Sequence, residues 1–314
     1  MSASIAALLL VPLLLPIALP PLARRALDRL APRTALWALT AAVSVLGCCS
    51  LASLGAFVLT GLLRVPLFAA LGELVRPLPT ASSLIVSLIA AAAVGALTVT
   101  VLTLVRSATR HIRALRTAHV QARSRPLAGD LCVIDSPHPD AYALPGRPDR
   151  IVVTSAMLRS LEPGEREALF AHERAHNASR HHYFLGTAEL AAHCHPALRP
   201  VRAAVRQAAE RAADEAAAAV TGDRRLTARA VGRAALAARS PHPSRPPLSL
   251  AAASGPVPQR VAALLAAPGR QCPRAAAWTG LLLAACILVS AGAAGIGVIA
   301  FHHEVEFAQG EVGR

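Results

Sequence analysis

Four stretches of this chain run without a charged residue, at residues 3–22, 35–63, 83–105 and about 277–300. A helix needs about 20 mostly apolar residues to cross a bilayer. Each stretch is therefore read as a transmembrane helix, the second long enough to cross with some tilt. Pro12, Pro16, Pro20 and Pro21 punctuate the first, which a spanning helix tolerates when neighbouring groups satisfy the freed carbonyls. That stretch has no basic residue ahead of it, so it reads as an uncleaved span rather than a secretory signal. Between the third and fourth stretches lies a polar segment of ordinary domain size. The pattern predicts a membrane region with three transmembrane helices (1–125), a separate domain (126–270), then the fourth helix and a short tail (271–314).

Within 126–270 the period changes. Leu131 to Ile134 and Ile151 to Thr154 are short runs rich in β-branched and apolar residues, separated by proline- and glycine-rich turns. Glu162-Pro163-Gly164-Glu165 suits a helix start, with proline allowed at the first position and carboxylates at the positive end of the dipole. Helices are expected from Glu165 to about His182, then over 183–193, 199–220 and 224–238. Ser240 to Pro258 is proline-rich and reads as an irregular connection before a short helix around Val261 to Leu265. The expected fold is an α-helical integral membrane protein with an α+β domain inserted between its third and fourth transmembrane helices.

The formal net charge is +14, which in a soluble protein suggests nucleic acid. Here every basic residue is arginine, and many flank the apolar runs: Arg24, Arg25, Arg29 and Arg33 after the first, Arg106, Arg110, Arg113 and Arg116 after the third, Arg270 and Arg274 before the fourth. Such flanking charge sets membrane orientation. It places the inserted domain in the cytoplasm and the N-terminus and the final tail outside. No aromatic residues interleave the arginines, so no direct nucleic-acid binding is expected. The alanine-, arginine- and proline-rich, lysine-free composition suggests a bacterial cell membrane. Six cysteines without C-x-x-C spacing form neither a disulfide framework nor a cysteine zinc site.

The chemistry is concentrated in His172-Glu173-Arg174-Ala175-His176. On a helix, positions i and i+4 share a face, so His172 and His176 can offer two imidazole nitrogens to one metal ion. Glu173 is placed to take a proton from water activated by that metal. A catalytic zinc normally has three protein ligands and an open position. Glu210 on the third helix of the domain is the candidate third ligand, with Asp214 one turn on to orient a ligating imidazole. Asp214 or Glu215 as direct ligand is the alternative. His181, His182, His193 and His195 add imidazoles that an extra metal would use, whereas His302 and His303 lie across the membrane. Tyr142 and His138 are the candidates for stabilising an oxyanion.

His172-Glu173-x-x-His176 followed by Glu210-x-x-x-Asp214 resembles the gluzincin metallopeptidases. Three spans, a zinc domain and a fourth span resemble the BlaR/MecR-type antirepressor membrane peptidases. Asp140 to Gly146 ahead of Arg150 to Thr154 is similar to the edge-strand segment of the related HtpX and CAAX prenyl proteases, beside which an extended substrate adds as a strand. The resemblance implies a zincin-like fold for the inserted domain and a zinc metalloendopeptidase with one Zn2+ per chain. It implies His172, His176 and Glu210 as ligands, Glu173 as general base and Asp214 behind a ligand. The implied partners are a protein or peptide substrate, with a transcriptional repressor as one candidate, and the lipid bilayer. The chain lacks the large sensor domain of family members with a sensory role, which argues against β-lactam sensing. A membrane quality-control protease is the second reading, and a catalytically silent scaffold the third.

Overall fold

A computed structural model describes residues 3–62, 83–123, 127–238, 256–266 and 273–310. The connection expected at 64–81 and most of the proline-rich Ser240–Pro258 stretch lie outside these. Four described helical stretches are long and apolar enough to cross a membrane: Ser4–Arg29, Pro32–Leu62, Ser87–Val120 and Pro273–His303. The first is broken. Helix α1 (Ala3–Leu14) passes through a 3-10 turn (Leu15–Ala18) into α2 (Leu19–Arg29). Pro16 has no N–H, so the carbonyl of Pro12 loses its helical donor. The Ser50 hydroxyl of α3 (Pro32–Leu62) reaches that carbonyl at 2.9 Å.

Helix α4 (Ser83–Arg123) runs unbroken beyond the apolar stretch that begins it. Its last turns pack under a four-stranded sheet of β1 (Leu127–Ala128), β2 (Leu131–Ile134), β3 (Ala141–Leu144) and β4 (Arg150–Thr154), in the order β1-β2-β4-β3. β2 and β4 run parallel, with Leu131 opposite Ile151, and β3 closes the sheet antiparallel to β4, with Tyr142 opposite Val152. The pleat sends alternate residues to opposite faces. Tyr142, Leu144, Val152 and Cys132 meet Ala118 and Ala122 of α4, while Ala141 and Val153 face Met157 and Leu169.

After α5 (Ser155–Ser160) comes the motif helix α6 (Pro163–Ala178). Pro163 occupies its first turn, and the Glu162 N–H donates to Glu165 at 3.0 Å in a capping box. The helix does not continue to His182 as the sequence pattern suggests. It ends at Ala178, where Arg180 turns left-handed (φ 52°), and α7 (His181–Cys194) sets off in a new direction. No glycine marks this break, which is why apolar spacing alone does not locate it. α8 (Val201–Thr221) stops at Gly222 (φ 68°), and Asp223 caps α9 (Arg224–Ala237) by accepting from the N–H groups of Arg225 and Leu226. α10 (Val257–Leu265) begins four residues earlier than expected, and α11 (Pro273–Gly310) continues as helix into the segment expected to be a tail.

The largest apolar core joins α2, α3, α7 and α8, with Leu283 of α11. Leu39, Leu46, Leu198, Val205 and Ala208 are fully buried in it, each large side chain contributing about 1.5–3 kcal/mol by leaving water. Trp37 of α3 meets Phe184 of α7 edge-on, with centroids 4.7 Å apart. Gly47 of α3 faces Ala191 and Cys194 of α7, where an added Cβ would sit 3.6 Å from both, an ordinary packing distance. Arg211 of α8 donates to the Leu27 carbonyl near the end of α2, satisfying a group that helix termination leaves open. The helix pair behind the motif is thus seated on the apolar helices.

Candidate metal centre

α6 packs along α8, and the contact buries His172, Glu173 and His176 against Glu210 and Asp214. The i, i+4 spacing turns both motif histidines to this face. His172 Nε2 and His176 Nε2 lie 3.0 Å apart. Glu210 Oε2 lies 3.4 Å from the first and 4.0 Å from the second. Zinc bonds of about 2.0–2.1 Å in a tetrahedron require ligand atoms about 3.4 Å apart, so these three atoms fit one zinc-sized ion with a coordination position to spare. Among the described residues, this is the grouping of histidine, cysteine and carboxylate side chains close enough to hold a metal.

Each histidine is also held from behind. His172 Nδ1 is 3.0 Å from Asp214 Oδ1, and His176 Nδ1 is 2.7 Å from His181 Nδ1. A partner on the second ring nitrogen fixes the tautomer and the ring plane. Burial pushes the His181 imidazole down to about 4, helped by the neighbouring His172 and His182, so it faces His176 uncharged near neutrality. His176 is held well below the ordinary histidine value, first by burial and then by the positive charges of His172 and Arg260. Burial opposes a charge on His172, but hydrogen bonds to Asp214 and Glu210 outweigh it and raise the ring to about 9. Burial likewise opposes charge on Asp214, and Arg260 and His172 overcome it, holding the carboxyl at about 2. The pocket favours a cation where His172 points.

Arg260 of α10 is the residue that sequence reasoning missed. It is 0% exposed. Its Nε and NH2 donate to Asp214 at 2.7 and 2.6 Å, and its NH1 lies 2.9 Å from Glu210 Oε2. A signal for it exists in the sequence. Val257, Arg260, Val261 and Leu264 follow the i, i+3, i+4, i+7 stripe of a helix face, and Val257, Val261 and Leu264 pack together on it. An arginine on such a stripe must find buried anions.

The other sequence candidates fall elsewhere. Glu215 pairs with Arg224 of α9, away from the histidines. Tyr142 lies on the α4 face of the sheet, opposite the face that carries α6, so it is not an oxyanion stabiliser; burial pushes its hydroxyl up to about 12. His193 pairs with Glu189 at 3.4 Å, and the His195 ring contacts the Leu13 backbone at the α1 break. His182 lines a cavity of about 710 Å³ at the end of α6, together with Asn177, Arg180 and Arg147.

A buried His–His–Glu cluster on two packed helices thus lies beside a small mixed sheet, in a chain with apolar helices of membrane-spanning length. The family model described as Peptidase family M48 matches residues 106–194. The match spans the end of α4, the sheet, the motif helix and α7, so this part of the chain is similar to the M48 metallopeptidases; Glu210, Asp214 and Arg260 lie beyond it. Neither the curated proteins nor the solved structures give a match.

Proposed function

We propose that this protein is a membrane-embedded zinc endopeptidase that hydrolyses peptide bonds of a protein substrate at the cytoplasmic face. The observation that carries this reading is the convergence of His172 Nε2, His176 Nε2 and Glu210 Oε2 within 3.0–4.0 Å, with Glu173 adjoining the first ligand in the same buried pocket. His172, His176 and Glu210 hold the zinc, Asp214 and His181 orient the two imidazoles, and Glu173 is the general base. The chemistry a bound zinc supplies is acidification of water and polarisation of the scissile carbonyl. Glu173 accepts the proton of the attacking water and returns it to the departing amide nitrogen. β3, at the open edge of the sheet, offers backbone groups to an extended substrate strand.

The arginine-rich connections support a cytoplasmic position for this pocket. The order of spans and zinc domain favours the BlaR/MecR-type antirepressor peptidases within the wider family, and with them a transcriptional repressor as substrate. The test uses the full chain in detergent, loaded with zinc and given an unfolded protein substrate, beside a Glu173→Gln variant. Both bind one zinc per chain, and the variant loses at least about 100-fold in cleavage rate, the scale of a lost general base. Equal cleavage by the two overturns the mechanism.

A further inference from the structure

The pocket brings Glu173, Glu210 and Asp214 together with essentially no exposure. Three buried carboxylates at close range call for positive charge packed among them. A divalent ion cancels two charges and leaves one. The guanidinium of Arg260 is fully buried in contact with two of the three carboxylates and is drawn on electrostatically by the third. It arrives from α10, on the far side of the proline-rich connection, so its place beside the motif reflects the fold rather than chain proximity.

We propose that Arg260 is a built-in counter-cation: a positioning residue that holds Glu210 and Asp214 aimed before a metal arrives, and that offsets the negative charge of the pocket. The inference rests on the zinc reading of the site. In this role the bidentate fork on Asp214 fixes the carboxylate that in turn orients His172. The NH1 contact holds Glu210 near its ligating position. Charge balance distinguishes this from packing, because a packing role is indifferent to the charge of Asp214.

The test compares thermal unfolding midpoints of the full chain in detergent, with saturating zinc and with chelator, for wild type, Arg260→Met, Arg260→Lys and the double variant Arg260→Met/Asp214→Asn. The chelated Arg260→Met protein is expected to unfold about 10 °C below chelated wild type, and the zinc-loaded pair to differ by less than half of that. Arg260→Lys and the double variant each recover part of the chelated loss, one by restoring the positive charge and the other by removing a negative one. Equal losses with zinc and with chelator, or a double variant no better than Arg260→Met alone, overturn the proposal. If Arg260→Met yields no folded protein, recovery of folded double variant supports it and equal failure overturns it. Zinc stoichiometry of the wild type is measured separately, so an absent metal site is told apart from a mistaken role for Arg260.

Discussion

Two arginine–aspartate forks in this molecule share a geometry and differ in their surroundings. Arg174 donates from Nε and NH2 to the two oxygens of Asp130 at 2.7 and 2.9 Å, with side chains 52% and 38% exposed. Arg260 does the same to Asp214 at 2.7 and 2.6 Å, with side chains 0% and 4% exposed. In water the first pair gains little from meeting, because solvent and salt screen it. Away from water the second pair depends on its partner, since either charge left alone in the interior is costly. The same fork is thus an ornament of the surface in one place and a condition of the pocket in the other.

The comparison is broken most forcefully by Arg260→Met, whose loss of about 3–5 kcal/mol is the scale for removing one partner of a buried pair. A smaller effect comes from pH. His172 titrates at about 9 in the fold against an ordinary 6.5, a raised value. Its stabilisation is therefore fully present below about 6.5 and is lost as pH rises through 9. Thermal midpoints of the chelated protein, followed from pH 6 to 10, should fall across that window; a flat or rising profile would show that the carboxylates do not favour a cation there. The smallest effect is expected at the exposed fork. Arg174→Ala should change stability by no more than about 1 kcal/mol, read from denaturant midpoints, and a loss of several kcal/mol would erase the contrast.

The parts of this structure legible in the sequence are those set by local periodicity. Charge-free runs marked the four apolar helical stretches, β-branched and apolar runs between turns marked β2 and β4, and His172-x-x-x-His176 with Glu210-x-x-x-Asp214 marked two helix faces that the fold presses together. What stayed hidden depends on distant partners. The turn at Arg180 needs a left-handed residue without glycine. His181, one residue later, reads as a spare imidazole until α7 is seen to fold it onto His176. The last turns of α4 look like a solvated arginine helix, yet Ala118 and Ala122 are the floor of the sheet, and that packing sends Tyr142 away from the motif. Arg260 sits on a legible apolar stripe, but its aspartate lies 46 residues away in the chain, and no spacing rule names that partner.

The proposed zinc centre is tested most directly by X-ray absorption at the zinc edge of the purified full chain. The geometry predicts one zinc per chain bound by two imidazole nitrogens and carboxylate oxygen at about 2.0–2.2 Å. That signal should be lost in a His172→Ala/His176→Ala variant. Sulfur ligation at about 2.3 Å, or the same spectrum from the double variant, would contradict the assignment of His172, His176 and Glu210.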